Sequence, residues 1–386
     1  MVNKIMKKRR DDTRKILFFA LSGLVVITGL VFYIANAKKD GITIIKNKEG
    51  VVGAEEVKEI VQKKERREIP DVVKAVYVTM YTAGNREKMD ALIALAKETE
   101  VNAMVIDVKG SEGELVFDYL DVGALLEKLH EADIHTIARI VVFQDSSAVA
   151  RAPETVIKKT GGGVWRDRRG FAWVDPASEK GWDYVFDVSK RALDAGFDEI
   201  NYDYIRFPTD GNLSAMVYPA WDEQIPKHEV IKKFALRARE ILKTHEPRMS
   251  LSIDIFGYTF IQSHDLGIGQ RLEDMIEAFD FVYPMVYPSH YSTGNFGFTN
   301  PADHPYEVVK GTLESGLVKM GENATSSAHR IRPWLQSFNL GAMYTADMMR
   351  AQIQGTRDGL GEASSGWLLW DPKNQYNNAR VYLEKE

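Results

Sequence analysis

The chain has 386 residues, 45% of them hydrophobic and 27% charged, with a formal net charge of −5 at pH 7. That apolar share is enough to build a core and excludes wholesale disorder and collagen-like repeats, while a mixed, mildly acidic charge offers no domain-wide basic field for nucleic acid. Cysteine is absent, which removes disulfides, thiolate metal sites, iron–sulfur clusters and cysteine nucleophiles together.

The opening segment, MVNKIMKKRRDDTRK over residues 1–15, gathers Lys4, Lys7, Lys8, Arg9, Arg10, Arg14 and Lys15. An uninterrupted apolar run follows over 16–35, close to the roughly 20 residues that a helix needs to cross a bilayer. Its basic flank holds the N-terminus in the cytoplasm and sends the rest across. Ala35-Asn36-Ala37 fits the small-x-small cleavage pattern of a signal peptide, but the length of the run favours an uncleaved anchor. The expectation is a single-pass protein of the cell membrane with its body outside the cytoplasm, or a secreted one if cleaved after Ala37. Residues 16–37 are the anchor or signal sequence and 1–15 its cytoplasmic flank. Residues 38–70 are charged and poor in large apolar side chains; they read as a solvated stalk with a short helix near 55–67, ended by Pro70.

From 71 to 386 short β-branched or aromatic runs alternate with amphipathic stretches. Strands are expected at 75–79, 103–109, 135–143, 199–207, 250–257, 280–287, 331–338 and 366–371. Helices are expected at 86–100, 122–132, 178–195, 228–245, 272–278, 306–315, 345–359 and 375–385. Eight strand–helix units over this length match an α/β architecture, the (β/α)8 TIM barrel, preceded by the N-terminal transmembrane helix. An open doubly wound sheet is the alternative, but the first strand runs into Met80-Tyr81-Thr82-Ala83-Gly84-Asn85 without a glycine-rich phosphate turn. Connections after helices are short and those after strands long (144–177, 208–227, 288–305). Barrel active sites sit at the strand C-termini, so the chain invests its length on that face.

Carboxylates recur there: Asp107 ending the second strand, Asp203 near the end of the fourth, Asp254 in the fifth and Asp371 ending the eighth. Each alone could be an N-cap or a packing residue. Neighbouring strands lie about 4.8 Å apart, so Asp203 and Asp254 can approach across the barrel mouth. A carboxyl pair in unequal environments is what glycoside hydrolysis needs, one protonating the leaving oxygen while the other attacks or activates water. In the segment EINYDYIRFP (199–208), period-two alternation puts Glu199, Asn201 and Asp203 on one face, directed into the barrel. Arg206 would orient Asp203 or bind a hydroxyl, or simply seal the strand end. Trp165, Trp173, Tyr218, Trp221, Tyr287, Tyr291, Trp334 and Trp370 fall on or beside the same face, and aromatic planes among polar groups suit sugar rings. His290, after the sixth strand, is a candidate substrate contact. HExxH, P-loop and GxSxG motifs are missing.

The segments YVTMYTAG, VIDVKGSEGEL, DEINYDYIRFP, SIDIFGY, DFVYPMVYPSHY, RPWLQSF and GWLLWDP resemble a bacterial family of inferred glycoside hydrolases, long catalogued as a domain of unknown function. The resemblance covers about 72–386. It implies an exported or membrane-anchored, glycosidase-type TIM barrel, with Asp203 and Asp254 at matched motif positions.

Together these features predict hydrolysis of a polysaccharide outside the cytoplasm. Asp203 serves as nucleophile or base and Asp254 as general acid, with the roles exchangeable. Asp107, Arg206, Tyr287, His290, Trp334, Gln336, Trp370 and Asp371 would bind substrate. No cofactor or metal is called for; the partners are a carbohydrate and, through the N-terminal helix, a membrane. The rivals are a non-catalytic glycan-binding or envelope-scaffold barrel and a metal-dependent hydrolase with Asp107, Asp203 and Asp254 as ligands.

Overall fold

The computed structural model describes residues 67–376 and 378–383, within one compact unit, Arg66–Glu386. The expected anchor, its flank and most of the stalk lie outside the described residues. Among the described residues no helix is long and apolar enough to cross a membrane.

Eight strands close a barrel: β1 (Val73–Val78), β2 (Ala103–Lys109), β3 (His135–Val141), β4 (Glu199–Asp203), β5 (Ser250–Phe256), β6 (Phe281–Val286), β7 (Trp334–Gln336) and β8 (Gly366–Trp370). Every adjacent pair is parallel and sequential, and β8 returns to β1. Between them run α1 (Arg86–Glu98), α2 (Val122–Glu131), α3 (Glu179–Ala195), α4 (Lys227–His245), α5 (Leu272–Ala278), α6 (Pro305–Met320) and α7 (Ala346–Leu360). Their ends carry the expected local chemistry. Asn85, Asp121 and Thr345 side chains accept from the Lys88, Ala124 and Met348 amides at the N-caps, and Gly196 ends α3 in the left-handed conformation.

Strand alternation separates two interiors. Outward residues such as Met104, Ile106, Ile140, Ile200, Tyr202, Ile253, Ile255 and Leu369 form one apolar layer with the buried faces of the helices. On α3 that face is Trp182, Val185, Phe186, Ser189, Ala192 and Leu193, at helical spacing. Inward residues Val73, Ala75, Tyr77, Ala103, Val105, Ile137, Tyr283, Tyr287, Trp334 and Leu368 form the second. The inside is also strongly polar. Glu199, wholly buried, accepts from Tyr283 Oη at 2.5 Å and lies 3.4 Å from His135 Nε2 and 3.8 Å from Arg332. This network seals the N-terminal end of the barrel.

Three expected elements differ most. The fourth strand, expected over 199–207, stops at Asp203, where Tyr204 turns to φ +56°. The seventh strand shortens to Trp334–Gln336 because Pro333 has no amide to donate to the ladder. In place of a last helix over 375–385 stands a single 3-10 turn, Ala379–Val381. The preceding segment is held in turns: Asp371 accepts from the Lys373 and Gln375 amides, and Asn374 sits at φ +53°. The chain's investment on one face holds, with long segments following β3, β4, β5 and β6.

The seam between β8 and β1 depends on Gly366, whose φ is +112° and where a Cβ would lie 1.9 Å from the Val73 carbonyl oxygen. Gly366→Ala therefore combines backbone strain with a clash against backbone. It should lower unfolding free energy by about 3 kcal/mol or more, read as a drop in urea midpoint. An unchanged midpoint would show that the seam yields freely.

Candidate active site

At the opposite end of the barrel the inward positions are Tyr77, Asp107, Arg139, Asn201, Asp203, Asp254, Tyr287, Trp334 and Trp370. The centre is Arg139, inward-facing on β3 between β2 and β4. Its Nη1 donates to Asp107 Oδ1 at 2.6 Å and its Nη2 to Asp203 Oδ2 at 2.5 Å. Its Nε lies 3.7 Å from Asp254 Oδ2 and makes no hydrogen bond, as does the buried Asn201 Oδ1. Burial opposes the charge of Arg139, but Asp107 and Asp203 more than compensate, and its pKa stands well above the ordinary arginine value.

The three carboxyls are not equivalent. Asp203 takes a short bond from Arg139 and another from the Tyr204 amide, at 2.6 Å to Oδ1. That amide is aimed by a left-handed Tyr204 (φ +56°), a conformation costly for an aromatic residue and characteristic of functional sites. Asp107 also accepts from the Tyr77 hydroxyl. Burial raises its pKa, with Arg139 and that hydroxyl bond pulling the other way. Asp254, 1% exposed, is lifted well above the carboxylate range by burial and then by the charge of Asp203. One guanidinium serves three acids, and the one it does not hydrogen-bond is the one whose pKa is raised furthest. Asp254 Oδ1 accepts from Trp334 Nε1 at 2.7 Å and Asn201 Nδ2 at 3.0 Å, so the proton of the neutral form belongs on Oδ2.

Aromatic rings wall this cluster. Tyr77 stacks on Trp370 at 3.9 Å, and Trp334 meets Trp370 edge-on at 5.4 Å. The Arg139 guanidinium lies 5.2 Å from the Trp370 ring. Burial, then the Asp254 and Asp203 charges, raises the pKa of Tyr287 well above its usual value and keeps its hydroxyl protonated.

Thus Asp107, Asp203, Asp254, Tyr287, Trp334 and Trp370 converge, and the other expected residues take different places. Arg206 does not pair with Asp203. It points among the Trp173, Tyr204 and Phe256 rings and donates to the Phe207 carbonyl and Thr209 hydroxyl, because Arg139 already holds the carboxylate. Gln336 braces the following loop, donating to the Phe338 and Leu340 carbonyls and accepting from the Ser289 amide. Asp371 is spent on its own turn. His290 stands exposed at the rim, edge-on to Tyr287 and Phe338. Trp165 and Trp173 are buried in the long loop after β3, donating to the Asn212 carbonyl and Asp167, and Tyr291 is buried against Tyr258 and Thr312. Among the described residues no three metal-ligating side chains gather as an ion site; Asp107 and Asp203 direct their oxygens to a guanidinium.

Sequence reasoning missed Arg139, Tyr77 and the role of Asn201. The signal was present: Arg139 shares the parity of His135 and Ile137, and an arginine inside a buried strand demands acids on both neighbours. Arg139→Gln should cost about 3–5 kcal/mol at pH 7, since it strands buried carboxylates without their cation. The deficit should shrink as pH falls and the acids neutralise. Urea titrations at both pH values check this; a pH-independent deficit would assign the loss to packing.

Comparison with known proteins adds three findings. Residues 75–376 match a family model described as a putative glycosyl hydrolase domain. A hypothetical protein from Ruminiclostridium thermocellum is 34% identical over 46% of this chain and 96% of its own, with a TM-score of 0.42. An α-galactosidase from Thermus thermophilus, solved with stachyose, is 14% identical over 83% of this chain and 67% of its own, with a TM-score of 0.51, a likeness of fold. No curated protein matches the chain.

Proposed function

Given that the chain belongs to the putative glycosyl hydrolase domain family, we propose that this barrel mouth hydrolyses glycosidic bonds of a polysaccharide with Asp203 and Asp254 as its working pair. The observation that carries the assignment is their opposite environments: Asp203 bonded to a cation, Asp254 buried beside it without a bond from that cation and with its pKa raised. Asp254 is the general acid, giving its Oδ2 proton to the departing oxygen. Asp203 is the nucleophile or base on the anomeric side. Arg139 hydrogen-bonds and orients Asp203, while its Nε and the buried Asn201 Oδ1 are left without hydrogen-bond partners. Trp370 and Tyr77 supply the apolar plane on which a sugar ring lies, and Asp107 anchors Arg139.

Asp203→Asn should lower kcat by about 10⁴-fold or more on every substrate, as loss of a nucleophile does. Asp254→Asn should lower it by about 10²–10⁴-fold on natural glycans but far less on dinitrophenyl glycosides, whose leaving group needs no proton. Equal losses on both would withdraw the acid assignment. In the wild type, kcat/KM should fall as pH rises through the raised pKa of Asp254, and Asp254→Asn should abolish that alkaline limb.

The barrel is placed outside the cytoplasm on the strength of the basic cluster at 4–15 and the apolar run at 16–35. Protease added to intact cells should then reach the barrel once any wall is removed. Protection that ends only on lysis would overturn the placement.

A further inference from the structure

The segments that follow the two working strands enclose a second concavity. One runs on from β4 after Asp203 and the other from β5 after Asp254. Between them lies a cavity of about 650 Å³ lined by Thr209, Ser214, Tyr218, Trp221, Lys227 and Gly267, among others. Its two walls are tied together at the base. Gln270, 1% exposed, accepts from the Phe256 amide at 3.0 Å and donates to the Ile205 and Asp254 carbonyls. The Phe207 amide donates to the Ile268 carbonyl at 2.9 Å. At its edge Arg206, set among the Trp173, Tyr204 and Phe256 rings, donates to the Thr209 hydroxyl at 3.2 Å.

Its lining has the chemistry of a sugar site. Tyr218 and Trp221 meet perpendicularly with centroids 5.0 Å apart, and Phe207 backs them at 5.6 and 4.9 Å. Both rings are only half-buried, so the corner is rigid yet open. The Trp221 indole N–H is already used on the Ile225 carbonyl at 2.8 Å, which leaves the ring face as what it offers. The Tyr218 hydroxyl meets the Met216 thioether at 3.5 Å, a weak acceptor readily exchanged for a sugar hydroxyl. Beside the rings the lining carries the polar side chains Thr209, Ser214, Glu223 and Lys227, and a sugar, apolar on its ring faces and hydroxylated at its rim, suits that mixture.

We propose that this cavity is a distal glycan subsite, holding units of the chain beyond those that occupy the carboxylate pair, so that the enzyme prefers long chains to short ones. This rests on the glycosidase reading above and is tested separately from it. The full-length protein and its Trp221→Ala and Tyr218→Ala variants are compared on aryl glycosides and on the two- to six-unit oligosaccharides of whichever sugar is released. In parallel, Asp203→Asn with and without Trp221→Ala is run in native gels containing soluble starch, dextran, galactomannan, glycol chitin or mixed-linkage β-glucan. The expected result is a tenfold or greater fall in the ratio of kcat/KM on the longest oligosaccharide to that on the aryl glycoside, and loss of gel retardation with Trp221→Ala. An unchanged ratio and unchanged retardation would overturn the subsite while leaving the glycosidase intact. Retardation that depends on Trp221, in a protein that hydrolyses nothing, would sustain the subsite and overturn the glycosidase. Neither hydrolysis nor retardation on the whole set would overturn both.

Discussion

A guanidinium in the middle of a barrel is a severe constraint. Arg139 is 6% exposed and inward-facing, and an arginine there keeps its charge only if acids are supplied from the flanking strands. β2 and β4 supply Asp107 and Asp203. Once those two are bonded, a third acid brought near the same cation meets the charge of Asp203 with no hydrogen bond from Arg139 in return. Burial first, and then the charge of Asp203, raises the pKa of Asp254 well above its ordinary value. The aromatic wall follows as well, because Tyr77 bonds Asp107, Trp334 bonds Asp254, and Trp370 lies against both rings and the guanidinium.

The sealed end of the same barrel shows that burial alone does not decide protonation. Glu199 is as deeply buried as Asp254, two inward positions below Asp203 on β4, yet its pKa is lowered. Burial pushes it up, and the bond and charge of His135, which also faces Asp198 at 3.7 Å, together with the charge of Arg332, pull it further down. Asp254 shares its cation with two other carboxyls. The same fold thus lowers the pKa of one buried carboxyl and raises that of another, and the raised one, Asp254, is the group to which we assign proton transfer.

Much of this was legible in the chain. The eight β-branched runs, the helical stretches between them and the long segments after strands place the barrel and its working face, since alternation of periods two and 3.6 is a local property. The stack Glu199–Asn201–Asp203 was legible for the same reason. What local pattern does not carry is which partner a side chain meets across strands. Arg206, three residues from Asp203, was the nearer candidate in sequence, but Tyr204 turns left-handed and sends the chain out of the strand, carrying Arg206 away among aromatic rings. Arg139, 64 residues away from Asp203, is its neighbour only because β3 pairs with β4 in the register Arg139 to Asn201 and Val141 to Asp203. Asp371 and Gln336 carried the right chemistry at strand ends, but loops with many backbone amides and carbonyls to satisfy claimed them.

The seam at Gly366 has a bearing on how the molecule comes into being. β8 emerges last, and until it docks, β1 and β7 are open sheet edges of the kind that invite wrong pairing. The same docking brings Trp370 onto Tyr77, while Asn374 and Tyr376 close over the Tyr77 carbonyl from residues nearly 300 positions later in the chain. The stacked pair of Tyr77 and Trp370 therefore does not exist until β8 has docked. A copy cut before β8 carries all three acids and the arginine but no Trp370, so the cluster gains its aromatic wall only when the first and eighth strands of the barrel have met.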